Sequence, residues 1–309
     1  MTSDSPNILL FGVGSIGSVY AAIFVLSERC NVHLVARSNY DVLKDRGLKL
    51  VSPKFGNHDA LQFDGVYRTC EEAAASGTKF NYTEKTSIVL FQNGVGAEEP
   101  LHASFPSTPI ISACVWTGAK VLDVGEVEQF NTEGLTIGVD YAAQIDRKTQ
   151  DDALKLFVDV LKAGGSDVKV TDDIQSERWV KVIWNACWNA VTTATQLRTN
   201  RFLGASPHAL TLSRAIMAEV AAVARAKGLT VPEGTEEGLI VKCTSVKEGL
   251  PSSMMFDYLA GRPMEVEVIL GTPLREGLRL GVPVPSLTAM YSIVKALDWK
   301  NAHPEEAKI

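Results

Sequence analysis

The chain has 309 residues, of which 46% are hydrophobic, and 30 basic against 36 acidic side chains leave a formal charge of −6. That length suffices for two cores of ordinary domain size, and the acidic balance supplies no basic footprint, which argues against nucleic acid as a main partner. No apolar run is long enough to span a bilayer, the five cysteines show neither a C-x-x-C pair nor an adjacent histidine to suggest a metal, and a first strand at Asn7 leaves no room for a signal or transit peptide, so a cytoplasmic setting without metal is the expectation.

Asn7 to Phe11 reads as a short apolar strand, followed at once by Gly12-Val13-Gly14-Ser15-Ile16-Gly17 and a helical run from Ser18 to Leu26. A strand, a G-x-G-x-x-G turn and a helix in that order form the context of a dinucleotide-binding turn. The first two glycines let the chain turn tightly and approach a pyrophosphate, and the third lets helix and strand pack closely. A second strand, Val32 to Ala36, ends at Arg37. A guanidinium there suits a 2′-phosphate, which argues for NADPH over NADH; an ordinary surface arginine is the competing explanation.

Further on, Ile88 to Phe91 reads as a strand running into Gln92-Asn93-Gly94, where Asn93 is either a cleft residue or a plain turn former. Ile110 to Thr117 reads as another strand, Glu126 to Asn131 and Leu135 to Val139 as an added hairpin around Glu133-Gly134, and Asp151 to Ala163 as a helix. The alternation up to about Thr171 predicts a mostly parallel sheet with covering helices. After Asp172 the pattern turns helical: Glu177 to Thr195, Pro207 to Lys227, Glu265 to Leu280 and Pro285 to Asn301. The expected domains are therefore 1–171 and 172–309.

The first of those late helices keeps Lys181, Asn185 and Asn189 four residues apart among tryptophans and valines. Four residues advance a helix by just over a turn, so the three share a face. Asparagine is a poor helix former and an amine is costly to desolvate, so this face is either a solvated stripe or the seat of chemistry.

With these residues the chain resembles the ketopantoate reductase family over most of its length. The shared features are the glycine turn, Gln92-Asn93-Gly94, Lys181 with Asn185 and Asn189, and Ser253-Met254 followed by Glu265. The resemblance implies an α/β chain with a Rossmann-type NADP-binding domain and an all-α C-terminal domain like that of 6-phosphogluconate dehydrogenase. It implies NADPH-dependent reduction of a small 2-oxo acid to a 2-hydroxy acid, with 2-dehydropantoate (ketopantoate) as the foremost substrate, in pantothenate biosynthesis.

Positions carried over make Lys181 the proton donor and Glu265 the group that holds lysine and substrate. Asn185, Asn189 and Ser253 would hydrogen-bond the substrate, and Asn93 would lie between nicotinamide ribose and substrate. Gly12, Val13, Gly14, Ser15, Ile16, Gly17 and Arg37 would bind the dinucleotide. Glu267 and Ser252 are the near neighbours that compete for the roles of Glu265 and Ser253. Reduction of another ketone or imine, or NADP binding without catalysis, stays open, as does the choice between monomer and homodimer.

One departure stands out. Family members carry a further strand, ending in a lysine, and a helix before the Gln-Asn-Gly turn, whereas Gly77-Thr78-Lys79-Phe80-Asn81-Tyr82 runs straight into Thr83. The expectation is a segment missing near Tyr82–Thr83, which would leave sheet neighbours exposed and backbone groups unpaired. Lys79 is not at the lysine's place and inherits no role.

Overall fold

The structure, a computed structural model, describes residues 5–77, 85–130 and 132–306. In chain order the elements are β1 (Asn7–Phe11), α1 (Ser15–Ser27), β2 (Asn31–Val35), α2 (Tyr40–Asp45), β3 (Leu48–Val51), β4 (His58–Leu61), β5 (Gly65–Tyr67), α3 (Cys70–Ala75), β6 (Ile88–Leu90) and α4 (Glu98–Ser104). Next come β7 (Ile110–Val115), β8 (Ala119–Asp123), β9 (Glu126–Gln129), β10 (Leu135–Asp140), α5 (Arg147–Ala163) and β11 (Val168–Val170). The rest is helical: α6 (Ile174–Thr195), α7 (Thr199–Ala205), α8 (Ala209–Ala226), α9 (Thr235–Thr244), α10 (Ser253–Leu259), a π-helix (Glu267–Gly271), α11 (Thr272–Leu280) and α12 (Pro285–Ala302). No described helix is long and apolar enough to cross a membrane.

Two units emerge, Met1–Phe91 with Phe105–Asp172, and Gln92–Ser104 with Asp173–Ile309. The division at Asp172 lies beside the boundary expected from the change in periodicity. The sequence reading missed that Gln92–Ser104 leaves the first unit to join the helical one.

In the first unit, β1, β2 and β5 form a parallel sheet in the order β1-β2-β5. A second sheet runs β11-β10-β7-β6, parallel at β6–β7 and β10–β11 and antiparallel at β7–β10. A doubly wound sheet has the order 3-2-1-4-5-6. The three strands β5-β2-β1 match its first half and β6-β7 the far end of its second, yet no described strand pairs with the free edge of β1 or of β6. Burial reflects this. Strand β7 is buried at every position, as a strand covered on both faces should be, whereas β1 is only half-buried in its middle and Phe11 is 62% exposed. The missing segment inferred near Tyr82–Thr83 falls in residues 78–84, outside the described ones.

The expected hairpin of Glu126–Asn131 with Leu135–Val139 is corrected. Strand β9 pairs antiparallel with β8 across the Gly125 turn and parallel with β3, in a third sheet ordered β4-β3-β9-β8, while β10 joins β7 and β11. Leu135 to Val139 are all buried, which suits an inner strand of the main sheet. Between β9 and β10, Glu133 works as a junction: it accepts from Ser166 Oγ (2.6 Å) and the Asp167 N–H (3.1 Å) and pairs with Lys54 (2.5 Å).

The helical unit is built around α6, which packs against α8, α10 and α12 and buries Trp179, Ile183, Cys187, Trp188 and Val191. Helices α8 and α11 are also tied by charge, with Glu276 receiving Lys227 (2.6 Å) and Arg279 (2.8 Å). The Arg279 and Lys227 hydrogen bonds hold the Glu276 carboxyl down at about 2. As the pH falls, the unfolded chain takes up this proton first, so the contribution is complete above about 4.5 and disappears toward 2. In acid unfolding followed by circular dichroism, Glu276→Gln should therefore be less stable than the parent chain near neutrality and should match it near pH 2. A stability deficit that persists unchanged to pH 2 would count against this.

Candidate active site

Helix α6 starts where Asp173 caps it, accepting from the Ser176 N–H at 3.1 Å, and ends at Gln196 in the left-handed region. Within it, Lys181 is half-buried, while Asn185 and Asn189 are 7% and 4% exposed. The polar row is thus an inward face, which removes the solvated-stripe explanation. The Asn189 amide nitrogen is buried with no hydrogen-bond partner among the described residues, as is the Thr193 hydroxyl one turn further on. A buried donor without an acceptor costs about 1–3 kcal/mol unless a ligand or water supplies one.

Lys181 donates to Asn93 Oδ1 at 2.8 Å, and Asn93 Nδ2 donates in turn to Glu265 Oε2 at 3.0 Å. The two bonds fix the orientation of the Asn93 amide, since its oxygen faces a donor-only ammonium and its nitrogen an acceptor. Glu267, the neighbour that competed with Glu265, is engaged elsewhere, by Arg275 (2.7 Å), Tyr291 (3.0 Å) and Lys295 (3.1 Å). Hydrogen bonding from Arg275, with help from Lys295 and Tyr291, holds its carboxyl below the usual range.

The Asn93 turn is seated by the residues after it. Gly94 has φ +87° and lies against Val268, so an added Cβ would collide with that side chain. The Val95 N–H donates to Val268 O at 2.9 Å. Val268 belongs to the π-helix, a register in which one extra residue per turn interrupts the α-helical pattern. The Gln92–Val95 turn and Glu265, at the mouth of that π-helix, thereby meet within one unit.

Ser252 caps α10, accepting from the Met255 N–H at 3.1 Å and sharing a 2.7 Å hydrogen bond with Thr192 on α6. Ser253 is therefore not needed as the cap; it is exposed and makes no hydrogen bond among the described residues. Arg262, nearby in sequence, pairs with Asp257 at 2.8 Å. Of the nearby aromatic residues, Trp188 is core, 2% exposed against Trp184, and Phe256 is 52% exposed.

In the other unit, Gly14 caps α1 without a side chain, and no acidic residue occupies the first turn. The N–H groups of that turn lack intrahelical partners and favour an anion. Gly12 has φ +92°, and among the described residues no heavy atom beyond the adjoining backbone lies within 4 Å of where a Cβ on Gly12 or Gly14 would stand, whereas one on Gly17 would collide with the Gly12 carbonyl. Those two properties, open space at the first glycines and closeness at the third, fit a pyrophosphate. Asn39 Nδ2 braces the loop by donating to Val13 O at 2.7 Å. Arg37 is exposed, has no ion-pair partner among the described residues, and lies 6.0 Å from the Phe11 ring centre.

Two family descriptions match the chain, Ketopantoate reductase PanE/ApbA over residues 8–140 and Ketopantoate reductase PanE/ApbA C terminal over residues 173–298. The chain belongs to the ketopantoate reductase family. A 2-dehydropantoate 2-reductase of Nostoc sp. is 26% identical over 94% of this chain and 95% of its own length. The solved 2-dehydropantoate 2-reductase of Methylococcus capsulatus is 29% identical, covers 96% of this chain and 98% of its own, and superposes with a TM-score of 0.81. A D-mandelate dehydrogenase solved with NADH and anilino(oxo)acetate shares the fold at TM-score 0.79, with 19% identity over 96% of this chain and 99% of its own.

Three features of the two units escaped the sequence reading: Arg178 and Glu98 in the helical unit, and the loop brace Asn39 in the other. An arginine three residues before Lys181 in an apolar helix was the available signal for the first. The pairing of Glu98 with it spans eighty residues of chain and had none.

Proposed function

We propose that this chain reduces a 2-oxo acid to the 2-hydroxy acid with NADPH in the cytoplasm, 2-dehydropantoate to pantoate being the first reaction to test. The observation that carries the reading is the hydrogen-bonded chain from Lys181 through Asn93 to Glu265. When bound, the dinucleotide supplies a hydride to the keto carbon. The Lys181 ammonium stabilises the charge growing on the carbonyl oxygen and then protonates it. Asn93 holds Nζ in place, and Glu265 keeps the amide of Asn93 from turning over. Asn185, Asn189 and Ser253 hydrogen-bond the substrate; the buried, unpartnered amide nitrogen of Asn189 supports its part.

Loss of NADPH absorbance with a panel of 2-oxo acids tests the reading, and no turnover with any of them would overturn it. Cofactor choice is a separate expectation. Arg37→Ala should weaken NADPH binding roughly ten- to hundredfold, from the loss of a hydrogen bond to a charged group worth about 1.5–3 kcal/mol, and leave NADH binding nearly unchanged. Equal weakening of both in a titration would reject Arg37 as the 2′-phosphate ligand.

Among the described residues no strand pairs with the outer edge of β1 or of β6, which favours a second reading, in which the chain binds NADP without catalysis or serves a different ketone or imine. Dinucleotides lie across the carboxyl ends of the strands at the point where strand order reverses, the region from which a strand is absent among the described residues. Nucleotide binding without turnover would favour the first alternative, and turnover confined to other ketones the second.

A further inference from the structure

We infer that Arg178 is a positioning residue for this reaction, acting through the backbone on either side of Asn93; the inference rests on the reductase reading above. Its guanidinium donates to Gly94 O at 2.7 Å and to Gln92 O at 3.3 Å, and its Nε lies 2.9 Å from Glu98 Oε1. Gln92 and Gly94 flank Asn93, so one planar group grips the turn before and after the residue whose side chain meets Lys181. Three positions on a helix lie on one face. Arg178 and Lys181 therefore take hold of the same turn from α6, one by its carbonyls and the other by its amide side chain. Glu98, at the start of α4, pairs with the guanidinium, and the π-helix meets the turn through Val268.

The burial of this pair says what it is for. The side chains of Arg178 and Glu98 are 1% and 2% exposed. A buried ion pair adds little net stability over well-packed apolar residues of the same volume, because desolvation offsets the attraction. A planar guanidinium whose Nη2 donates to both carbonyls while its Nε faces the Glu98 carboxylate, by contrast, fixes direction, which an apolar pair cannot do. If the turn were looser, Asn93 would lose its registration with Lys181 and Glu265, and an error of about 1 Å in such a group costs on the order of a hundredfold in rate.

The test uses Arg178→Lys, which keeps the charge but loses the rigid plane linking Nη2 at the carbonyls to Nε at Glu98, and Glu98→Gln, which keeps size and one acceptor. Three measurements are made on the whole chain: steady-state kinetics across pH, NADPH binding, and hydrogen exchange of the Val95 amide. The expected result for Arg178→Lys is a fall in kcat of roughly ten- to hundredfold with NADPH affinity unchanged. The limb of the pH–rate profile that belongs to Lys181 should move, and Val95 should exchange faster while amides in the middle of α6 do not. Glu98→Gln should show the same pattern more weakly, and it carries the test if the lysine variant does not fold. An active parent chain with unaltered kcat and Val95 protection in both variants overturns the role of Arg178 alone. A parent chain that reduces no 2-oxo acid overturns the reductase reading, and the role falls with it.

Discussion

Replacement of Lys181 by alanine is expected to lower kcat on the best 2-oxo acid by roughly two to four orders of magnitude, the usual contribution of a positioned general acid, with NADPH binding retained. Lys181 donates to Asn93 on the helical unit, whereas the glycine turn that would bind the dinucleotide lies in the other, so binding and proton donation should separate cleanly. Lys181→Arg sharpens the result. A guanidinium keeps the positive charge but does not release a proton at working pH, so it should stabilise the oxyanion without protonating it and restore only part of the loss. A kcat for the alanine variant within about tenfold of the parent would remove Lys181 from the role of proton donor.

Breaking the Arg178–Glu98 pair from one side is expected to cost about 3–5 kcal/mol of stability, because the remaining charge is left buried without its counterion. This is a large share of the roughly 5–15 kcal/mol that separates folded from unfolded domains. Denaturant midpoints of Arg178→Met and of Glu98→Met should both fall accordingly, while the chain carrying both substitutions should lie above the two single variants, recovering the part of the loss that comes from the unpaired charge. That double variant also separates stability from positioning. It should fold better than either single variant, though below the parent because the carbonyls of Gln92 and Gly94 lose their donor, and it should turn over slowly because an apolar pair no longer fixes those carbonyls. A loss below about 1 kcal/mol in either single variant would mean that water reaches the pair and screens it.

Much of the architecture was legible in the sequence because it is written in local periodicity. The strand, glycine turn and helix at Asn7–Ser27 occur where the pattern puts them, and α6, α8 and α12 begin and end within a few residues of their expected bounds, whereas the helix expected over Glu265–Leu280 is a π-helix followed by α11, and α7, α9 and α10 had no expected bounds. The shared face of Lys181, Asn185 and Asn189 follows from helical geometry alone. Periodicity did not reveal the partner of each element. Glu126–Gln129 and Leu135–Asp140 both read as strands, and nothing in either says that one pairs with β3 and the other with β7. Equally, the alternation of strand and helix assigned Gln92–Ser104 to the first unit, since its attachment to the π-helix and α6 depends on contacts with residues far along the chain.

By itself the sequence determined which residues have the chemistry: the flexible glycines, the amine, the amides and the carboxylates, each at a spacing that selects one face or one turn. Only the tertiary structure decided which of them meet. Asn93 reaches Glu265 across 172 residues of chain, and Glu265 rather than Glu267 is the carboxylate it finds, because a π-helix and a buried arginine seat the turn there. The physical reason is that side-chain direction along a helix or strand is set by the nearest few residues, whereas pairing between distant segments is set by which buried polar groups would otherwise lack partners, and that becomes defined only when the whole core is assembled.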